Sequence, residues 1–385
     1  MKITLIGPAY PFRGGIAHFT GLLYRYLSRN HSVEVVTFSR QYPSILFPGQ
    51  TQRETDGEGL AIPTKRMIDS INPLTWVRTG RHIARESPDL VIFMYWLPFF
   101  APAYASIASR VKRGSGARVL FLCHNIIPHE KRIGDRLLTR RAFRHADTFI
   151  VQSREVERDL LSILPSARYR MLPHPIYEIF GNAVPKDEAR ARLRLDHSKI
   201  ILFFGFIRPY KGLETLLRAM PDIRKRIDLH CLVVGESYED ITSYRQLIRE
   251  GNYESAVTLV QQYVPAEDVR LYFSAADCVV LPYRSATQSG IVQIAYQFSK
   301  PAIVTDVGGL SEIVLDNQTG FVVPPDNPSA LASAVIRFYE EHREEEFVRN
   351  IGPEREKYRW DHFVRGIEEI VLSSTPPPPS SEAVS

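Results

Sequence analysis

One arrangement occurs twice in this chain of 385 residues and constrains its fold more than any other feature. Ile3-Thr4-Leu5-Ile6 runs into a loop holding Gly7, Gly14 and Gly15, then into a helical pattern over 15–29. Ile200–Phe204 runs into Gly205, Arg208, Lys211 and Gly212, then into a helical pattern over 212–226. Each copy is a strand, a glycine-bearing loop and a helix start, a geometry that presents backbone N–H groups to a phosphate. Neither loop matches the dinucleotide fingerprint or the P-loop, so a Walker-type site has little support.

The alternation continues along the chain. Apolar runs predict strands over 2–6, 33–38, 90–95, 118–123, 148–152, 200–205, 230–235, 256–260, 277–282, 302–305 and 321–323. Helical periodicity marks 15–29, 212–226, 241–251, 266–275 and 328–343 between them. Such alternation predicts parallel sheets with crossover helices, an α/β fold of two doubly wound, Rossmann-like domains. Leu172-Pro173-His174-Pro175 and Gly181-Asn182 read as a linker, which sets the domains at 1–180 and 187–357. The tail 373–385, with Pro376 to Pro379 and five serines, is of low complexity and expected to be disordered. Leu90 to Ser109 carries no charge, but Pro98 and Pro102 interrupt it; a buried strand, a loop and a helix are expected there, not a membrane span.

Cys123, Cys231 and Cys278 stand far apart and form no CxxC, which excludes a disulfide framework and a thiolate zinc site and fits a reducing cytoplasm. Ile3–Ile6 is too short for a signal-peptide core. Charge is uneven. Residues 1–180 hold 25 Lys and Arg against 14 Asp and Glu, a balance of +11, and the remaining 23 against 29 give −6. The first half is therefore expected to meet something anionic. Lys131, Arg132, Arg136, Arg140, Arg141 and Arg144 cluster there, with Arg136, Arg140 and Arg144 on one helical face. A solvated face, an anionic membrane surface and nucleic acid are the readings of this cluster. The last is disfavoured, because only one aromatic, Phe143, interleaves the arginines and no nucleic-acid motif is present.

In parallel sheets ligands gather beyond the carboxyl ends of strands, so polar residues there are candidates for substrate contact. Gly14 and Gly15 allow close approach to the backbone ahead of a helix start whose dipole favours anions. His124, with Asn125, ends the strand 118–123, whereas His129 reads as structural. Arg208 and Lys211 stand three apart before a helix, two cations suited to hold a diphosphate and stabilise it as a leaving group. Thr287, Gln288, Ser289 and Gly290 open the helix 290–299, and Asp306-Val307-Gly308-Gly309 with Glu312 repeats the scheme one strand later. No two aspartates stand two apart, so there is no DxD motif for a metal-bound nucleotide sugar, and HExxH, GxSxG and the kinase set are absent.

Several segments then follow in a fixed order: Gly205-Phe206-Ile207-Arg208-Pro209-Tyr210-Lys211-Gly212-Leu213, Val233-Val234-Gly235-Glu236, Tyr263-Val264-Pro265, Ala275-Ala276-Asp277, Val280-Leu281-Pro282, Thr305-Asp306-Val307-Gly308-Gly309-Leu310-Ser311-Glu312 and Thr319-Gly320-Phe321-Val322-Val323-Pro324. In this series the chain resembles the family 4 glycosyltransferases, retaining enzymes with the two-domain GT-B fold, over most of residues 1–345. The resemblance implies two domains facing a central cleft. It places Gly14-Gly15 at the donor diphosphate, His124 at the transferred sugar, Arg208 and Lys211 on the diphosphate, and the backbone of Tyr263-Val264 at the nucleotide base. Gly205, Thr287, Gln288, Ser289, Gly290 and Glu312 complete the expected donor-binding set. The last helix, around Tyr358–Leu372, is implied to cross back onto the first domain. In one respect the chain departs from the family, which typically has two glutamates separated by seven residues. The register puts Ala286 and Ile294 at those places, and no Asp or Glu occurs from Ala286 to Pro301.

The expected activity is transfer of a sugar from a nucleotide diphosphate-sugar to a glycan or lipid-linked acceptor, retaining the anomeric configuration and needing neither metal nor cofactor. Gln288 and the neighbouring hydroxyls are expected to replace the lost glutamates. Arg136, Arg140 and Arg144, with Phe99 and Phe100 inserted, are expected to dock a cytoplasmic protein on an anionic membrane; nucleic acid is not an expected partner. Two rivals stand beside this reading: a catalytically inactive nucleotide-sugar-binding protein of the same fold, and a Rossmann oxidoreductase or epimerase.

Overall fold

The computed structural model describes residues 1–43, 52–53, 61–128, 132–237 and 240–372; His129, Lys131 and the tail 373–385 lie outside the described residues. The chain divides into two compact units, Met1–Pro175 with the segment from Arg359 onward, and Ile176–Tyr358.

In the first unit the strands are β1 (Lys2–Ile6), β2 (Ser32–Arg40), β3 (Lys65–Asp69), β4 (Leu90–Tyr95), β5 (Arg118–Cys123), β6 (Thr148–Val151) and β7 (Tyr169–Met171). They form one parallel sheet in the order β3-β2-β1-β4-β5-β6-β7. Helices α1 (Gly15–Leu27), α2 (Pro73–Glu86), α3 (Ala101–Gly114), α4 (Asp135–Phe143) and α5 (Arg154–Ile163) connect them. All six residues of β4 are buried, as a strand covered on both faces requires. Its Phe93 stacks on Phe121 of β5 with ring centroids 4.8 Å apart. The uncharged stretch from Leu90 is thus a strand, a 3₁₀ turn (Pro98–Phe100) and α3.

In the second unit the strands are β8 (Ile200–Phe204), β9 (His230–Val234), β10 (Val257–Val260), β11 (Cys278–Leu281), β12 (Ala302–Thr305) and β13 (Gly320–Val323). They form a parallel sheet in the order β10-β9-β8-β11-β12-β13. The helices of this unit are α6 (Lys186–Arg192), α7 (Leu213–Arg224), α8 (Thr242–Glu250), α9 (Ala266–Ala275), α10 (Gly290–Gln297), α11 (Leu310–Ile313), α12 (Pro328–Glu340) and α13 (Glu344–Glu356). At the amino end of the sheet the buried Asp277 carboxylate gathers donors from several elements. It accepts from Lys186 (2.7 Å), Arg190 (2.8 Å), the Ile200 N–H (2.7 Å) and the Tyr339 hydroxyl (3.0 Å).

The final helix, α14 (Trp360–Leu372), belongs to the first unit. Trp360 stacks on Tyr26 of α1 at 5.6 Å, and Arg118 donates to the Ile370 carbonyl at 3.0 Å.

Two differences from the sequence expectations have clear causes. Strands β3 and β7 were missed because both lie at sheet edges, where short, charged sequences such as Lys65-Arg66 replace apolar runs. Residues 176–180, assigned above to the first domain, group with the second unit. There Tyr177 packs against Gly290, and the turn Glu178–Phe180 lies on α9.

Both sheets reverse their strand order at an internal point, between β1 and β4 and between β8 and β11. Helices leave in opposite directions at such a switch point, opening a crevice beyond the carboxyl ends of the strands.

Candidate functional site

The first unit's switch point is where Gly14, Gly15 and His124 come into play. Gly14 caps α1 at φ 109, a conformation that favours glycine, and nothing lies within 4 Å of the place a Cβ would occupy. From that loop α1 carries Phe19 inward. Its ring meets His124 edge-on, with centroids 4.7 Å apart at 85°, and meets His174 at 5.1 Å. The His124 N–H donates to the Tyr95 carbonyl at 2.8 Å, which continues the β4–β5 ladder one residue beyond its end. Burial pushes the His124 imidazole down to about 3, helped by neighbouring His174 and opposed by a hydrogen bond from its ring to the Gln152 side chain. His174, pushed down to about 4 by burial, donates from Nδ1 to the Pro175 carbonyl at 2.7 Å. Both rings are therefore neutral near pH 7, so His124 can donate and accept hydrogen bonds but brings no charge to a sugar. His174 and Gln152 did not emerge from sequence: one reads as linker, the other as the last residue of the strand expected over 148–152.

On the second unit, loops from three neighbouring strands converge. Gly205 follows β8 at φ 104, and a Cβ there would lie 2.8 Å from Lys211 Nζ and 3.3 Å from Ile291 Cδ1. The glycine therefore lets the Lys211 ammonium cross the strand end and puts it beside the first turn of α10. Lys211 also lies 5.4 Å from the Tyr283 ring centroid, over the loop that follows β11. That loop is pinned on both sides. The Arg284 N–H donates to the Tyr210 carbonyl at 2.7 Å, and the Gly309 N–H donates to the Thr287 carbonyl at 3.1 Å. Ser289 caps α10, its hydroxyl accepting from the Ile291 N–H at 3.2 Å.

Burial chiefly lowers the Lys211 pKa; Tyr210 raises it and the Arg208 guanidinium lowers it by less. A buried ammonium beside a second cation is a site that an anion against both would stabilise. Gly205, Lys211 and the start of α10 thus come together, with Arg208 three residues before Lys211 and Thr287, Gln288 and Ser289 in the loop that leads into α10. The positions aligned with the absent glutamates are closed: Ala286 is 7% and Ile294 6% exposed.

Other expected residues lie further out. Tyr263 and Val264 stand between β10 and α9, two strands from β8. Glu312, on the single turn α11, acts electrostatically on Tyr358.

The membrane expectation needs one correction. Phe100 is fully buried and Phe99 stacks on Tyr42 at 5.9 Å, so this pair is built into the core and its margin rather than offered for insertion. The exposed apolar side chains near the basic cluster are Ile133 and Leu137. Arg136 donates to the Ser162 carbonyl at 2.9 Å, and Arg144 follows the last residue of α4. Among the described residues no helix is long and apolar enough to cross a membrane, and no group of three or more His, Cys, Asp or Glu could hold a metal ion.

Comparison with known proteins agrees on one family. The model of a glycosyl transferase 4-like domain matches residues 14–175, and that of glycosyl transferases group 1 matches residues 198–341. An uncharacterized glycosyltransferase of Methanocaldococcus jannaschii is 23% identical over 391 residues, covering 95% of this chain and 96% of the relative. The GDP-mannose-dependent alpha-(1-6)-phosphatidylinositol monomannoside mannosyltransferase of Mycolicibacterium smegmatis is 26% identical over 344 residues, covering 84% and 85%. Among solved structures, Anabaena HepE in complex with UDP shares the fold, with a TM-score of 0.75 at 16% identity over 96% of this chain and 99% of that one.

Proposed function

This chain belongs to the family 4 glycosyltransferases of GT-B fold, and from that premise we propose that it moves a sugar from a nucleotide diphosphate donor to a glycan or lipid-linked acceptor with retention of configuration. One observation carries the reading: the Lys211 ammonium held over Gly205 beside the start of α10, with Arg208 three residues before it. On this reading the bond from sugar C1 to the diphosphate oxygen breaks while the acceptor oxygen bonds to C1 on the same face. The acceptor's proton passes to the departing phosphate oxygen. Arg208 and Lys211 stabilise the charge that gathers on the diphosphate, where one preorganised contact is worth roughly 3 kcal/mol. The route requires no carboxylate at Ala286 or Ile294. Thr287, Gln288 and Ser289 supply neutral hydrogen-bonding groups for ribose or sugar instead, and His124 on the first domain meets the sugar as a neutral imidazole. Tyr263-Val264, in the loop after β10 two strands from β8, is read as the backbone that meets the base of the same nucleotide. The UDP bound by HepE and the GDP-mannose of the mycobacterial enzyme's name support a nucleotide-linked donor without choosing the base.

For the acceptor, the reading is a lipid-linked molecule met at an anionic membrane surface. Arg136, Arg140 and Arg144 provide charge, and the fully exposed Ile133 with Leu137 provides apolar contact. Each cation near such a surface contributes about 1 kcal/mol, screened by salt. The phosphatidylinositol-linked acceptor in the mycobacterial enzyme's name supports this choice.

A thermal-shift screen of UDP-, GDP- and ADP-sugars, followed by an assay for nucleotide diphosphate release, tests the donor. Stabilisation together with release supports a transferase, and stabilisation without release on any acceptor identifies the inactive binding protein. Co-sedimentation with neutral and anionic liposomes at low and high salt tests the surface; binding indifferent to lipid charge refutes it.

A further inference from the structure

We propose that Gln152 is a positioning residue for His124: its amide oxygen accepts from one ring N–H and so fixes which imidazole nitrogen remains an acceptor. The pair is set by strand register. β5 and β6 run parallel with Leu120 opposite Thr148 and Cys123 opposite Val151, so His124 and Gln152 are the next opposed residues beyond the last pair. Neighbouring strands lie about 4.8 Å apart and opposed residues share a face, which brings the two side chains within reach of each other. Both are buried. Their backbones are held as well. His124 bonds to Tyr95 as described, while Gln152 sits between Val151, whose carbonyl accepts from Leu172 at 3.0 Å, and Ser153, which caps α5 by accepting from the Val156 N–H at 3.3 Å.

The hydrogen bond between the two side chains leaves the Nε2 atoms of both His124 and Gln152 buried outside it, so it joins the ring's Nδ1–H to the amide oxygen, which can only accept. Around the rest of the ring stand Phe19, edge-on, and His174, with ring centroids 6.4 Å apart, itself a neutral imidazole. A neutral imidazole has two tautomers, and a single fixed partner on one nitrogen decides between them. The remaining nitrogen then presents a lone pair to a hydroxyl. The catalytic consequence rests on the transferase reading above; the hydrogen bond and the tautomer do not.

The test uses the full chain labelled with ¹⁵N-histidine, the His124 signals being assigned with His124→Asn. Wild type is expected to show one neutral tautomer between pH 5 and 8. Gln152→Met keeps the side-chain volume and removes the acceptor. It is expected to show mixed tautomers, with kcat about tenfold lower and donor KM within about twofold, the scale of losing an orienting partner. Gln152→Glu is expected to raise the protonation midpoint of His124 by roughly 1–3 pH units. A folded Gln152→Met protein with the wild-type tautomer overturns the inference, whatever its turnover. Altered tautomers in a protein that releases nucleotide diphosphate from no sugar donor leave the positioning role standing and remove the transferase reading.

Discussion

Lys211 holds its ammonium where a side chain on residue 205 would begin: a Cβ built on Gly205 lies 2.8 Å from Lys211 Nζ. The end of β8, the 3₁₀ turn Pro209–Lys211 and the start of α10 meet at this point, so the cation's position depends on the glycine twice, through space and through its φ of 104.

Gly205→Ala is accordingly expected to cost about 1–3 kcal/mol of stability from backbone conformation, and to reduce kcat/KM by displacing the ammonium. Thermal unfolding and donor kinetics on the same preparation check this. Unchanged kinetics in a destabilised protein would separate the fold's need for Gly205 from the site's.

Asp277→Asn tests whether the second domain is held at its amino end by a buried charge. Removing the carboxylate leaves Lys186 and Arg190 facing a neutral amide, a loss expected to cost about 3–5 kcal/mol. Chemical denaturation should show that loss. Donor KM at a temperature where the variant is folded should not change, because Asp277 precedes β11 whereas the site lies beyond its far end.

Much of this architecture was legible in the sequence because parallel strands are buried on both faces and read as unbroken apolar runs; Leu90–Tyr95 and Ile200–Phe204 were found almost to the residue. The edge strands β3 and β7 were not, since an edge needs charge more than apolar continuity. Candidate site residues stood out where chemistry and a strand end coincide, as at His124, Arg208 and Lys211, whose roles remain part of the proposal. The burial of Phe99 and Phe100 was not, because an apolar pair after a strand reads alike whether it faces the core or solvent. Nor was Gln152, whose partner is set by register between strands more than twenty residues apart.

The buried imidazoles make the first domain sensitive to acid. His174 moves from an ordinary value of 6.5 when unfolded to about 4 when folded, because burial disfavours the charged ring. The stability it contributes is complete above pH 6.5 and falls as pH drops towards 4, since the unfolded chain takes up the proton first. The slope in that window is about 1.4 kcal/mol per pH unit for each such group. Urea unfolding at several pH values should show a shallower acid loss for His174→Gln than for wild type. Equal slopes would mean that the ring is hydrated and titrates normally.

Gln288→Ala and Thr287→Ala test the neutral replacement of the missing carboxylates. At least one should weaken donor affinity by about tenfold, roughly 1.4 kcal/mol, measured by titration calorimetry with the best donor from the screen. If both bind as wild type, this loop supplies no side-chain contact to ribose or sugar.

The central claim is that Arg208 and Lys211 stabilise the departing diphosphate, and the most direct measurement is kcat/KM for sugar transfer by the Arg208→Gln, Lys211→Met double variant. Methionine keeps the apolar stem of the buried lysine, so the fold should survive and the melting temperature serves as the control. The account predicts a loss of at least a hundredfold, since one preorganised contact is worth about 2.7–4 kcal/mol. A folded double variant that turns over within a few-fold of wild type would contradict it.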